Sequence, residues 1–190
     1  AFRHHYKSIS DIKALHTIAI RAYQVLLHQE LLWRQTSVAH TGNVQVVATS
    51  LCIGTSSSPR NADMTEPKYR FAYRIRIENR SEQYVQLLGR YWHIQEMDDG
   101  EHAPYDRDPI VVAAPTTGAV GQLPVLAPGE SFEYMSGTDM ATGIGMMKGT
   151  FFMARVDENT PSAKSGDVVE ALKSDDKFEV DVAPFPLLAN

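Results

Sequence analysis

The sequence predicts a mainly β protein, an antiparallel sandwich or barrel, preceded by one long α-helix. Between residues 8 and 34, apolar side chains lie three and four positions apart, which is the period of a helix. From residue 43 the period becomes two, in short β-branched runs that glycine, proline and asparagine separate. Because no helical pattern lies between these runs, we expect antiparallel strands. The predicted boundary separates a helical extension, residues 1–42, from a sandwich domain, residues 43–190.

The helix is predicted from Ser8 to Arg34, a segment without glycine or proline. Ser8 and Asp11 match a capping box in which Asp replaces the usual Glu. Apolar residues occupy more than one side, and such a helix is normally buried on most sides. We therefore expect it to bind a partner, although a helix folded back over an exposed sheet face is the alternative. The residues predicted to contact the partner are Leu15, Ile20, Leu26, Leu27, Leu31 and Trp33.

Six strands are predicted, at residues 44–53, 71–77, 85–94, 131–135, 150–156 and 177–182. In the second strand, one parity is apolar and the other is polar or small, so one side should face the core. The residues expected to form that core are Phe71, Tyr73, Ile75 and Ile77, together with Phe132, Tyr134 and Phe152. Residues 158–176 are mostly polar and are expected to form a mobile insertion.

Basic side chains share the opposite parity of that second strand and would project from one face over about 26 Å. They are Lys68, Arg70, Arg74 and Arg76. Two interpretations remain open. The arginines form a solvated face that is ion-paired to Glu78, Glu133 or Glu179, or they form a docking strip for RNA or an acidic protein.

Composition excludes several classes of protein. The hydrophobic fraction is 43% and the charged fraction 22%, which is typical of a folded domain. A net charge of −5 predicts no global attraction to nucleic acid or membrane surfaces. Cys52 is the single cysteine, so no intrachain disulfide forms, and a reducing intracellular compartment is expected. The stretch 15–33 contains Arg21, Glu30 and two histidines and is too polar to span a bilayer.

Catalytic signatures are absent from the sequence. There is no G-x-S-x-G motif, no phosphate-binding P-loop and no H-E-x-x-H motif. The seven histidines show no metal-ligand spacing. Cys52 lies in a predicted apolar strand, where a free cysteine is usually an inert packing residue. We therefore predict no enzyme activity, no cofactor and no metal.

Motifs in a fixed order over residues 44–187 resemble the ApaG domain family. The matching runs are residues 71–79, 85–88, 90–92, 118–126, 128–134, 136–137, 147–150 and 178–185. The resemblance implies a fibronectin-III/immunoglobulin-like β-sandwich and no established enzyme activity. For the eukaryotic members of the family, it implies protein–protein interaction. The N-terminal helix lies outside the family pattern.

The glycine-rich turn departs from the family pattern, in which G-x-G-x-x-G has prompted suggestions of nucleotide or pyrophosphate binding. Here Thr116 stands where the first glycine is expected. Pro124 and Pro128 exclude the following helix that a dinucleotide site requires. Two interpretations remain, a tight turn with positive φ at a glycine and an amide nest for an anion. The candidate anion-binding residues are Thr116, Thr117, Gly118 and Gly121.

The function expected from these observations is a non-catalytic protein–protein interaction module. It would be an accessory structural subunit of a larger assembly, anchored partly through its N-terminal helix. The specific expectation is a mitochondrial ribosome or another complex of the mitochondrial matrix. RNA contact is expected through the basic strand of Lys68, Arg70, Arg74 and Arg76. The alternative is a small-anion or nucleotide (pyrophosphate) binding module that uses the turn from Gly118 to Gly121.

Overall fold

The computed structural model describes residues 9–56, 68–97, 108–167, 169–173 and 175–189. The chain divides into two compact units, one ending at Arg34 and one beginning at Gln35. The first unit is the helix α1 (Ile9–Arg34). The second is an antiparallel β-sandwich, so the predicted fold class is confirmed. The sequence placed the boundary after residue 42, whereas residues 36–41 form a strand of the second unit.

The strands of the second unit range from 2 to 14 residues in length. They are β1 (Thr36–Thr41), β2 (Val44–Ser56), β3 (Lys68–Asn79), β4 (Tyr84–Met97), β5 (Ile110–Ala114), β6 (Gln122–Leu123), β7 (Val125–Leu126), β8 (Ser131–Met140), β9 (Ile144–Val156), β10 (Ala163–Lys164) and β11 (Lys177–Leu188). A short 3₁₀ helix (Glu170–Leu172) precedes β11.

Two sheets enclose the core. One has four strands in the order β1-β2-β3-β8. The other has the order β11-β9-β4-β5, with β7 also paired to β4, and a small β10-β6 ribbon stands apart from both. All the pairings are antiparallel, and the chain crosses between the two larger sheets after β3, after β7 and after β8. The main hydrophobic core contains side chains from both sheets, as a sandwich requires.

The alternation predicted for the second strand is present in β3. Phe71, Tyr73, Ile75 and Ile77 are buried, whereas the arginines between them are exposed. Tyr134 also lies in this core, and Phe132 packs at its margin.

The expectation for Phe152 was wrong. In β9 the core side belongs to Phe151 and Met153, because successive side chains point to opposite faces of a sheet. Phe152 therefore packs in a second, smaller cluster.

That smaller cluster involves the segment expected to be a mobile insertion. Val169 and Ala171 are buried there against Leu88, Leu123 and Ala154. The few apolar residues of this mostly polar stretch show no period, so the sequence pattern did not reveal this packing. The segment nevertheless contributes to the stability of the second unit by covering apolar surface.

Asn79 organises the crossing from β3 to β4. It is fully buried, and its amide nitrogen donates hydrogen bonds to the carbonyl oxygens of Gln83 at 2.7 Å and Leu126 at 3.0 Å. Its side-chain oxygen accepts hydrogen bonds from the amide nitrogen of Ser81 at 3.0 Å and from the Ser81 hydroxyl at 2.7 Å. A buried polar side chain satisfied in this way fixes the path of the chain between the sheets.

Candidate binding surfaces

The glycine-rich turn closes a tight hairpin between Ala119 and Gln122. The two residues exchange backbone hydrogen bonds of 3.0 and 2.9 Å. Between them, Val120 has φ of 46° and Gly121 has φ of 75°. Positive φ at both central positions is the geometry of a type I′ turn, which matches the twist of paired strands. The backbone therefore forms the predicted tight turn, with positive φ at Gly121.

Gly118, immediately before this hairpin, occupies a position that admits no side chain. Its φ is 61°, and a Cβ atom added there would lie 1.9 Å from the carbonyl oxygen of Gln122. Its amide nitrogen donates to the carbonyl oxygen of Leu88 at 2.8 Å, and its own carbonyl oxygen accepts a hydrogen bond from the Arg90 guanidinium. Thr116, in contrast, does not have a positive φ, since Val120 is the one non-glycine residue with positive φ in the described part of the chain. The backbone therefore does not require a glycine at position 116.

The candidate anion-binding residues thus lie around one turn. Thr116, Thr117 and Gly121 are exposed, whereas Gly118 is buried. The amides of Gly118, Ala119 and Gln122 all donate to carbonyl oxygens of the protein. An amide nest binds an anion through backbone N–H groups that have no other partner. The contacts of this turn are therefore mainly structural, and anion binding here stays a prediction.

The basic residues of β3 lie on the outer side of the four-stranded sheet. Arg70 Nε lies 3.1 Å from Asp139 Oδ1, and Arg74 Nε lies 3.8 Å from Glu133 Oε1. Each arginine side chain is about half exposed. The hydrogen bond from Arg70 to Asp139 raises the pKa of the Arg70 guanidinium above its ordinary value. The side chain of Lys68 lies outside the described residues.

Glu78 joins two arginines at the end of β3. Its Oε2 atom lies 3.4 Å from Arg76, and its Oε1 atom lies 3.0 Å from Arg80 Nε. The hydrogen bond from Arg80 is the main cause that lowers the pKa of Glu78, against an opposing effect of desolvation. Of the three acids that the sequence indicated as partners, Glu78 and Glu133 form these pairs, while Glu179 lies on β11 in the other sheet.

Apolar side chains lie among these ion pairs. We call the exposed side of β2, β3 and β8 that carries Arg70, Arg74 and Arg76 the arginine face. Leu51, Ile53 and Met135 are exposed, by 41%, 56% and 65%. A shallow trough of about 350 Å³ runs over Ala72 and Gly137, with Ile53, Arg70 and Asp139 at its margin. Arginine and methionine are enriched in protein–protein interfaces.

The helix α1 exposes most of its apolar side chains. Ten large ones are exposed, from 39% for Leu15 to 80% for Trp33. Five of the six residues predicted to bind a partner are in this set, and Leu31 is half-buried. A salt bridge of 2.6 Å between Glu30 and Arg34 supports the last turn from within the helix.

Within the residues that the structure describes, no group of three or more His, Cys, Asp or Glu side chains is placed to hold a metal ion. In that same part of the chain, no helix combines the length and the apolar character needed to cross a bilayer.

Comparison with known proteins identifies relatives of the second unit. A family model of the ApaG domain matches residues 59–155. Protein ApaG of Thiobacillus denitrificans is 36% identical over 110 residues, which are 58% of this chain and 79% of that protein. Protein ApaG of Bordetella pertussis is 41% identical over 93 residues, which are 49% of this chain and 63% of that protein. An X-ray structure of a structural-genomics target has a TM-score of 0.54 at 28% identity, and the match covers 77% of this chain and 87% of the other.

Proposed function

We propose that this chain, which belongs to the ApaG domain family, is a non-catalytic protein–protein interaction module. In this proposal it acts as an accessory structural subunit of a larger assembly, and its N-terminal helix helps to anchor it there. The exposure of the apolar side chains of α1 is the observation that carries the proposal.

The helix exposes more apolar surface than a soluble monomer normally does. Large contiguous apolar patches on soluble proteins usually mark interaction sites. Burying one Leu or Ile contributes roughly 1.5–3 kcal/mol, so four such residues contribute about 6–12 kcal/mol before the costs of association. Micromolar affinity corresponds to about 8 kcal/mol. A partner groove that covers Ile20, Leu26, Leu27 and Trp33 would therefore supply a large part of the favourable free energy, and further contacts would offset the cost of association.

The arginine face supports a second protein contact. Each of its three arginines already has an acidic group within 4.0 Å, so an RNA phosphate would have to compete with a carboxylate. Recognition of single-stranded RNA also relies on aromatic side chains that stack with bases. The exposed apolar residues described on this face are instead Leu51, Ile53 and Met135. A protein surface of mixed charge fits these features better, and RNA is an outcome of the test below.

Affinity purification of the full chain from its native cells tests the helix contact. The test variant replaces Leu26, Leu27 and Trp33 by Gln, which keeps helix propensity but removes apolar surface. The matched control replaces His16 and His28, two exposed polar residues of the same helix, by Gln. We expect the amount of co-purifying subunits to fall at least tenfold with the test variant and to stay unchanged with the control. Circular dichroism verifies that both variants keep the helix.

Equal recovery of the same subunits with the test variant and its control would refute the anchor. The identities of the subunits also test the predicted mitochondrial ribosome. A third variant, with Arg70, Arg74 and Arg76 all replaced by Gln, distinguishes the partner of the arginine face. If that partner is RNA, the salt dependence becomes flatter in this variant, and the magnitude of the slope of log affinity against log salt decreases by about 2–3. Calorimetric titration with pyrophosphate and nucleotides tests the alternative at the Gly118–Gly121 turn.

A further inference from the structure

A cleft of about 570 Å³ opens on the second sheet, away from the glycine-rich turn and from the arginine face. Strands β4 and β9 line it side by side, and β1 and β11 also contribute. The polar residues that line it are His40, Tyr91, His93, Lys148, Thr150 and Asp181. We propose that this cleft binds a phosphate-type oxyanion, free or carried by a small phosphomonoester, through Lys148, His93, Tyr91 and Thr150. The proposal is independent of the interaction function.

Strand register brings these four side chains together. His93 is the direct partner of Lys148 across the β4–β9 pair, and Tyr91 is the direct partner of Thr150. Positions two apart in a strand share a face, about 6.8 Å from each other, and directly opposed Cβ atoms are about 5 Å apart. The four side chains are therefore close enough together to reach one tetrahedral anion from the same side of the sheet. The Lys148 ammonium supplies charge, and the imidazole and the two hydroxyls supply hydrogen-bond donors.

None of these four side chains forms a hydrogen bond or an ion pair within the described part of the protein. In this they differ from the arginines of β3, each of which has an acidic partner. A concave surface with a few convergent polar groups is the default candidate for a ligand site. Gly149, between Lys148 and Thr150, also lines the cleft.

The remaining titratable groups determine which ligand fits. Asp181 on β11 is the register partner of Thr150, so its carboxylate lies on the opposite side of Thr150 from β4. It repels an anion and therefore limits the affinity of the cleft for bare phosphate. A carboxylate can also accept a hydrogen bond from a ligand, which favours a phosphomonoester that carries a hydroxyl group. His40 is at the rim, where its Nε2 atom lies 3.3 Å from the side-chain nitrogen of Gln45.

Titration of the isotope-labelled full chain with inorganic phosphate, followed by NMR, tests the proposal. We expect saturable shifts of the amides of His93, Lys148, Gly149 and Asp181. Lys148→Gln should weaken binding at least tenfold, His93→Gln should weaken it severalfold, and Asp181→Asn should tighten it severalfold. The matched control is Lys164→Gln, which makes the same charge change at an exposed lysine outside the cleft and should leave the affinity unchanged.

A second arm uses glycerol 3-phosphate as the probe. If a hydroxyl group donates to Asp181, this probe binds more tightly than phosphate, and Asp181→Ala, which removes the acceptor, abolishes the difference. Equal affinities of the two probes would support the oxyanion site with bare phosphate as its ligand. The proposal is overturned if Lys148→Gln and Lys164→Gln weaken binding equally, if Asp181→Asn leaves the affinity unchanged, or if the shifts map to residues 116–121.

Discussion

Replacing Gly118 by Ala should destabilise the sandwich far more than the same change at Gly121. Both glycines have positive φ, 61° and 75°, so both substitutions place Ala in the left-handed region. The two sites differ in space. A Cβ atom at Gly118 would lie 1.9 Å from the Gln122 carbonyl oxygen, whereas one at Gly121 would have nothing within 4 Å. The pair therefore separates backbone strain from steric conflict.

The magnitudes follow from these contacts. Left-handed backbone costs Ala roughly 1–2 kcal/mol at either site. At Gly118 the obstructing atom belongs to the backbone, so the hairpin must shift. The shift breaks the hydrogen bond to Leu88, worth about 1 kcal/mol, and disturbs the bonds between Ala119 and Gln122. We expect about 3 kcal/mol for Gly118→Ala and about 1 kcal/mol for Gly121→Ala.

Urea denaturation of the full chain, monitored by far-ultraviolet circular dichroism, measures both free energies of unfolding. With a slope of about 2 kcal/mol per molar urea, Gly118→Ala should lower the midpoint by about 1.5 M and Gly121→Ala by about 0.5 M. Equal losses at the two positions would refute the steric argument. A loss below about 1 kcal/mol at Gly118 would show that the hairpin moves freely.

Two further predictions concern polar groups of the sandwich. The buried Tyr134 hydroxyl has no hydrogen-bond partner among the described residues, so Tyr134→Phe should stabilise the protein by about 1 kcal/mol in urea denaturation, and a loss of stability would contradict this. Burial also raises the pKa of Tyr134, so above about pH 10 its hydroxyl ionises more readily in the unfolded chain than in the folded one. The free energy of unfolding of the parent should therefore fall more steeply above that pH than the free energy of unfolding of Tyr134→Phe. Arg80→Gln should raise the pKa of Glu78 toward its ordinary value, which a carboxyl NMR titration measures. An unchanged pKa would show that Arg80 is not the main cause of the lowered pKa of Glu78.

Some expected features could be read from local patterns. The helix and the alternation of β3 depend on periods of 3.6 and two, which neighbouring residues display directly. Strand β1 lacked such a pattern, because Thr36–Thr41 contains few apolar residues. Its Gly42-Asn43 turn was a usable hairpin signal, and pairing with β2 imposes the extended backbone.

For the candidate surfaces too, local sequence patterns revealed some features and not others. The arginines of β3 share one face by parity alone, so the sequence was sufficient to place them together. It left open whether acids lie within reach, because Glu133 and Asp139 come from β8, more than fifty residues later. In β9 the sequence analysis placed Phe152 in the core, but two adjacent phenylalanines fit either parity, and packing against the opposite sheet selects Phe151.

The sequence by itself determined an antiparallel β domain, the helix before it and a tight turn with positive φ at Gly118 or Gly121, because periodicity and turn chemistry are local properties. Only the tertiary structure decided the strand order and the cleft around Lys148. Tyr91 and His93, Lys148 and Thr150, and Asp181 belong to three strands that are far apart in the chain. Strand register, which depends on the whole sandwich, brings them to one side of a sheet.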